Sequence, residues 1–178
     1  MAKYTRYRKY SRRSRSKWSS NITHTVGQVI TAEPSAIFFN TTILSFNPIQ
    51  SNTTVPQIFT VKNIEFNGTF ESSSSLSQIE NLCAFIMFVP QGMNITANYD
   101  TEHPEYIMAM KYYGSPSPDG QQNYQPIRVK TRLARKLNTG DSVVLYVKGY
   151  NVGTSQSSLE YSGITRWWTG AYIISFNV

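Results

Sequence analysis

From Asn21 onward, apolar and β-branched residues fall in short runs broken by Gly, Pro, Asn, Ser and Asp. Repeats of three to four residues are nearly absent, so the pattern offers strands rather than amphipathic helices. Eight runs fit strands: 22–31, 36–46, 57–70, 82–89, 106–113, 127–137, 142–150 and 172–178. In the third run, alternation puts Ile58, Thr60, Lys62, Ile64 and Phe66 on one face, and Phe59, Val61, Asn63 and Glu65 on the other. The fourth run is apolar at every position from Leu82 to Val89, which predicts a central strand covered on both faces. The joining segments are polar. Residues 72–75 are four serines, 99–105 are polar, 114–124 carry Pro116, Pro118 and the Asp119-Gly120 turn signal, and 151–162 form another polar loop. The expected fold is all-β: a single eight-stranded jelly roll, a two-sheet sandwich, preceded by a basic N-terminal arm. Its long loops are where contacts with neighbours are expected.

Charge changes this picture at one end only. The net charge is +7, yet residues 1–20 hold 8 of the 17 basic side chains and no acid. The other 158 residues carry 9 bases and 10 acids. The chain therefore divides into an arm, 1–20, and a near-neutral shell domain, 21–178. The arm has no aliphatic residue beyond Met1 and Ala2, so it cannot bury enough apolar surface to fold alone. Lys3, Arg6, Lys9, Arg12 and Arg15 recur every third residue, which would align their charges on an extended three-residue turn. With Arg8, Arg13 and Lys17 they form a cationic run suited to neutralising phosphates and releasing counterions. Tyr4, Tyr7, Tyr10 and Trp18 add ring faces for unpaired bases. The same residues also satisfy a nuclear-localisation signal.

A second basic cluster comprises Arg128, Lys130, Arg132, Arg135 and Lys136. Arg128, Lys130 and Arg132 share a strand face, with Val129, Thr131 and Leu133 turned to the core. That face is either a basic inner wall that continues the arm's contacts or a solvated surface. Adjacent Trp167 and Trp168 point opposite ways on a strand, so either one enters the core and the other meets a neighbour, or both serve packing of the core alone. Cys83 is the lone cysteine, expected as a small buried hydrophobe, and no intrachain disulfide is possible. Asp100, Glu102, His103 and Glu105 are the only metal-like cluster, but Pro104 interrupts the helix that would gather them, so no metal or cofactor is expected. No nucleophile or phosphate-loop motif occurs, and catalysis is not expected. No apolar run reaches a membrane span, and no secretory leader is visible. The sequons at Asn21, Asn40, Asn52, Asn67 and Asn94 are therefore expected to be unmodified.

The arm Tyr4-Thr5-Arg6-Tyr7-Arg8-Lys9-Tyr10-Ser11-Arg12-Arg13-Ser14-Arg15 and the segment Thr131-Arg132-Leu133-Ala134-Arg135-Lys136-Leu137-Asn138-Thr139-Gly140-Asp141-Ser142-Val143-Val144-Leu145 together resemble one family. It is the capsid proteins of small circular single-stranded DNA viruses, the circovirus-like group that encodes a replication initiator. The closing Gly170-Ala171-Tyr172 fits the resemblance as well. The chain is short for that group, which implies trimmed loops. The resemblance implies a single jelly roll, self-assembly of sixty copies into a T=1 icosahedral shell, and an arm facing inward on a single-stranded DNA genome. It further implies import information in the arm, host import receptors as partners, and residence in the virion and the host nucleus.

Two other readings use the same residues. The coat of a small RNA satellite virus shares the arm-plus-jelly-roll plan, and a cellular single-strand-binding domain would concentrate aromatic and basic residues on one sheet face. A peptide of residues 1–20 should bind unrelated single strands equally, with affinity falling steeply as salt rises. Each Arg→Ala change should flatten the logarithmic salt slope by about 0.7, whereas Tyr→Ala changes should weaken binding at constant slope. Titration of two unrelated strands across salt concentrations measures both, and a strong preference for one sequence would contradict it.

Overall fold

The computed structural model describes residues 18–47, 58–72, 78–114 and 124–172, with side chains as far as Gly170. Among the described residues nine strands form: β1 Trp18–Ala32, β2 Ala36–Phe46, β3 Ile58–Ser72, β4 Ile79–Val89, β5 Ile107–Gly114, β6 Tyr124–Lys130, β7 Arg135–Leu137, β8 Ser142–Asn151 and β9 Ser157–Tyr172. One sheet runs β1-β9-β3-β6, with the short β7 also on β3, and the other runs β2-β8-β4-β5. Every pairing is antiparallel. With β7 set aside, all but one of the successive connections cross from one sheet to the other, and β4–β5 alone stays within a sheet. That strand order is the double Greek key of a jelly roll. The expected fold is thus the observed one.

The core lies between the inner faces. Ile30, Phe66, Phe70, Leu159 and Tyr161 come from the first sheet, and Phe38, Leu82, Ile86, Val143, Leu145 and Val147 from the second, all nearly sealed from solvent. Each such side chain contributes roughly 1.5–3 kcal/mol on leaving water. β4 is covered on both faces, as its unbroken apolar run requires. Leu82, Ala84, Ile86 and Phe88 enter this core, while Phe85, Met87 and Val89 pack outward against Tyr99, Val144 and Tyr146. Residues 90–106 form the outer cover, with a one-turn helix, α1 (Tyr99–Glu102), and a 3-10 turn at Pro104–Tyr106. Side chains fasten it. Tyr146 donates its hydroxyl to the carbonyls of Thr96 (3.2 Å) and Ala97 (2.9 Å), Tyr99 donates to that of Phe88 (3.4 Å), and Lys148 meets Asp100 at 2.8 Å. Burial pushes the Tyr99 phenol up to about 12, so it stays a donor at all ordinary pH values.

In β1, β3 and β4 an extra residue against the partner strand coincides with a left-handed backbone position. Thr25 and Gln28 pair with Gly163 and Tyr161, and Gly27 between them has φ 55°. Lys62 and Glu65 pair with Trp168 and Arg166, and Asn63 has φ 51°. Glu80 and Cys83 pair with Tyr150 and Lys148, and Asn81 has φ 53°. Glycine and asparagine are the residues that tolerate this conformation at the first position of a bulge.

The bulge in β3 corrects the alternation expected there. It reverses the facing sense between Lys62 and Ile64, so Val61, Ile64 and Phe66 are all buried, with Phe59 packed beside them. Lys62 and Glu65 both face outward. Three further expectations are corrected, and one falls mostly outside the described residues. The polar segment 151–162 is loop only at 152–156; Ser157–Glu160 begin β9, where pairing of the two serines with Ala32 and Thr31 of β1 overrides the weak strand preference of serine. Of the strand expected at 172–178, Tyr172 ends β9 and the rest lies outside the described residues. The run 127–137 is broken at 131–134, because the Thr131 hydroxyl accepts the Leu133 N–H at 3.1 Å and turns the chain. Leu133 is consequently 58% exposed instead of in the core. Cys83 is half-buried at the margin of the outer cluster, not sealed, and burial pushes its thiol pKa up.

Gly68 of β3 faces Gly163 of β9. A Cβ at Gly68 would strike the Ser162 carbonyl, one at Gly163 the Asn67 carbonyl, and the Phe66 ring lies over both. Gly163→Ala should therefore destabilise by about 1–3 kcal/mol, seen as a melting midpoint lower by roughly 2–4 °C per kcal/mol. An unchanged midpoint in thermal denaturation would contradict this contact.

Candidate nucleic-acid interface

Lys3, Arg6, Arg8, Lys9, Arg12, Arg13, Arg15 and Lys17, with Tyr4, Tyr7 and Tyr10, lie outside the described residues. Trp18 opens β1, and Trp18, Ser19 and Ser20 pair with Gly170, Thr169 and Trp168 of β9. These three residues belong to the sheet's edge strand.

The pairing registers define what the outer face of the β1-β9-β3-β6 sheet presents. One row across it reads Trp18, Gly170, Thr60, Lys136; the next Ser20, Trp168, Lys62; then Ile22, Arg166, Glu65, Lys130; then His24, Ile164, Asn67, Arg128. Five cations and two tryptophans stand in these four rows beside one acid. At the opposite end of the same face, the row is Val29, Glu160, Glu71, Tyr124. A domain near neutrality as a whole is thus strongly polarised within one face, with its cationic end at the strand that continues residue 17. The cover over the other sheet, residues 90–106, holds Asp100, Glu102 and Glu105 and no lysine or arginine.

The Trp18 indole lies against Gly170, where an added Cβ would stand 3.1 Å from two ring atoms. The Lys62 ammonium is 3.6 Å from the centroid of the same ring, a cation–π contact worth about 0.5–1 kcal/mol at an exposed site. A side chain at position 170 would press on this ring and displace it by a few tenths of an ångström.

Arg128 and Lys130 are exposed on this face, alternating with buried Ile127 and Val129 as expected. Arg132 is exposed too, but β6 ends at Lys130, so Arg132 is not in line with them. Arg128 meets Glu65 at 2.8 Å, and its guanidinium holds the Glu65 carboxyl below the usual carboxylate range despite some desolvation. Arg135 stacks on the Phe88 ring, 4.0 Å from its centroid, away from the outer rows. An open cleft of about 360 Å³ at the margin between the sheets, lined by Met110, Lys111, Arg128, Val129 and Lys130, adds the Lys111 cation from β5.

Trp167 packs inward on the core and Trp168 faces out, 37% exposed, as adjacent strand residues must. Tyr161 is buried, with its hydroxyl 2.6 Å from that of Thr42. The Asp100–Glu105 cluster is dispersed: Asp100 turns to Lys148, Glu102 accepts the Thr96 hydroxyl at 3.2 Å, and Glu105 faces His103. Sequence reasoning missed Lys62 and Arg166 as members of the face. The alternation of buried Leu159, Tyr161 and Thr165 with exposed Glu160 and Arg166 held the signal for Arg166; nothing short of the bulge revealed Lys62.

Because the folded-state pKa of Glu65 is depressed, its contribution is present above the ordinary carboxylate range and is lost as pH falls through the lowered value. Arg128→Ala should raise that pKa toward the ordinary value. Carboxyl-carbon NMR of glutamate-labelled protein, assigned with Glu65→Gln, measures it, and an unmoved titration would remove Arg128 as the cause.

No protein-family model matches the chain, and no curated protein sequence matches it. Among solved structures it is similar to Desmodium yellow mottle tymovirus, at 13% identity over 88% of this chain and 91% of that one, TM-score 0.35. It is also similar to the infectious bursal disease virus VP2 subviral particle, at 12% identity over 86% of this chain and 42% of that one, TM-score 0.23. A third similarity is to VP1 of trichodysplasia spinulosa-associated polyomavirus in complex with 3'-sialyllactose, at 11% identity over 88% and 79% of the two chains, TM-score 0.13. The jelly roll rests on the strand order of this chain and not on these likenesses.

Proposed function

We propose that this chain is the subunit of a small icosahedral virus shell, with sixty copies closing a T=1 particle around single-stranded DNA. The observation that carries the reading is the union of a jelly roll with a segment of eight cations and no acid leading into its edge strand Trp18–Ala32. A jelly roll alone serves many functions. A polycationic extension on it calls for a polyanion, and identical subunits most often close into symmetric assemblies. The arm binds the genome by charge neutralisation and stacking, with no base readout, and it doubles as a nuclear-import signal read by host receptors. Sixty arms would bring about 480 positive charges into the lumen, fewer than the phosphates of a genome of roughly a thousand nucleotides or more, so small cations complete the neutralisation. The protein resides in the virion and, during assembly, in the host nucleus. It needs no cofactor and performs no catalysis in this role.

One observation favours a second reading. The cationic, tryptophan-bearing end of the β1-β9-β3-β6 face is what a free-standing single-strand-binding domain would display. An RNA-packaging coat is the remaining alternative, because phosphate contacts are common to both genomes.

Purified full-length protein should form closed shells about 20 nm across by electron microscopy. Their contents should resist ribonuclease and yield to deoxyribonuclease after extraction. Deletion of residues 1–17 should leave the β-sheet circular-dichroism signal intact and remove most of the packaged nucleic acid. A monodisperse monomer that binds single strands at high concentration would favour the free-standing domain, and a normal load in truncated shells would rule out the arm as the packaging element.

A further inference from the structure

We infer that the cationic end of the outer β1-β9-β3-β6 face is a second nucleic-acid contact, a platform on which a single strand leaving the arm continues across the sheet. The inference rests on the proposal that the chain binds single strands, and adds where on the folded domain they lie. Three independent features of the structure carry it.

The first is position. The four rows from Trp18 to Arg128 begin where the arm joins the fold, so a strand neutralised by residues 1–17 would meet Lys62, Arg166, Lys130 and Arg128 with Glu65, itself paired to Arg128, as the one acid among them. Glu160 and Glu71 are at the far end of the face. Rows on one sheet face step by about 6.8 Å, comparable with the repeat of an extended nucleotide, so successive phosphates can meet successive rows.

The second is the division of labour between the two tryptophans. Trp18 is held against Gly170 and beneath Lys62. Trp168, in the next row and 37% exposed, offers a ring flanked by Ser20 and Lys62 on which an unpaired base can stack.

The third is the cleft between β5 and β6. Its lining of Lys111, Arg128 and Lys130 brings cations from both sheets to one opening, and Glu65 is the acid already paired there, with Arg128. Nucleic-acid phosphate would compete with Glu65 for the Arg128 guanidinium. Glu65 is thus the weak point of the platform for a polyanion, and its removal should strengthen binding.

That last point gives a test misfolding cannot imitate. Full-length Glu65→Gln and Glu71→Gln carry the same charge change at opposite ends of one face. Binding to a fluorescent 20-nucleotide oligothymidine should tighten at least about threefold for Glu65→Gln and hardly at all for Glu71→Gln. Arg166→Ser with Lys130→Ser should weaken binding and flatten the logarithmic salt slope by about 1.4, two charges' worth, with the arm intact. Ultraviolet cross-linking of the wild-type complex should mark the peptide that contains Trp168. Equal effects of the two glutamine variants, or an unchanged salt slope with cross-links confined to residues 1–17, would overturn the platform while leaving the arm as the binding element. Failure of the wild-type protein to bind the oligonucleotide at all would overturn the proposed function with it.

Discussion

The register of β9 between its two neighbours is the constraint from which the rest of the molecule follows. Side chains on a strand alternate with a period of two, so a slip of one residue would exchange the buried and exposed sets. β9 cannot slip without driving Arg166 and Trp168 into the core and expelling Leu159 and Tyr161. Both neighbours are locked to it by a bulge, one at Gly27 in β1 and one at Asn63 in β3. The β3 bulge matters most. It lets a single strand place Val61, Ile64 and Phe66 in the core while aiming Lys62 and Glu65 outward, which strict alternation forbids. The close approach at Gly68 and Gly163 then holds the two central strands in that register.

On this frame, charge is sorted by location and not by total. The domain beyond residue 20 sums to nearly nothing, with 9 bases against 10 acids, yet five of those bases stand at one end of one sheet face and three of the acids occupy the cover of the other sheet. The folded domain therefore has one cationic surface and one acidic surface. Near-neutrality, which argued from composition against nucleic-acid contacts by the domain itself, describes only the average over these two surfaces.

Much of the fold was legible in the chain. The second strand, 36–46, was read to the residue, and the unbroken apolar run of the fourth announced its two covered faces. What escaped had physical causes. Ser157 and Ser158 look like loop, and only their pairing with Ala32 and Thr31 of β1 makes them strand. Asn63 and Asn81 look like ordinary polar strand positions, whereas their left-handed backbones reset the facing of everything after them. Leu133 looked like core until the Thr131 hydroxyl ended the alternation. Of the expected contact residues, Arg128 and Lys130 fall on the shared face and Arg132 does not. Lys62 and Arg166 join them only through pairings between segments about a hundred residues apart.

The cover at residues 90–106 separates what the fold needs from what the surface displays. Its attachment to the second sheet rests on Tyr99, Tyr146, Lys148 and Asp100, while Asn94, Glu102 and Glu105 project into solvent. Substitution at the projecting positions alters the exterior's charge and shape and leaves the fastening untouched, since surface changes of this kind usually cost no more than about 0.5 kcal/mol. An exterior built this way can diversify quickly under selection while the sandwich beneath stays the same.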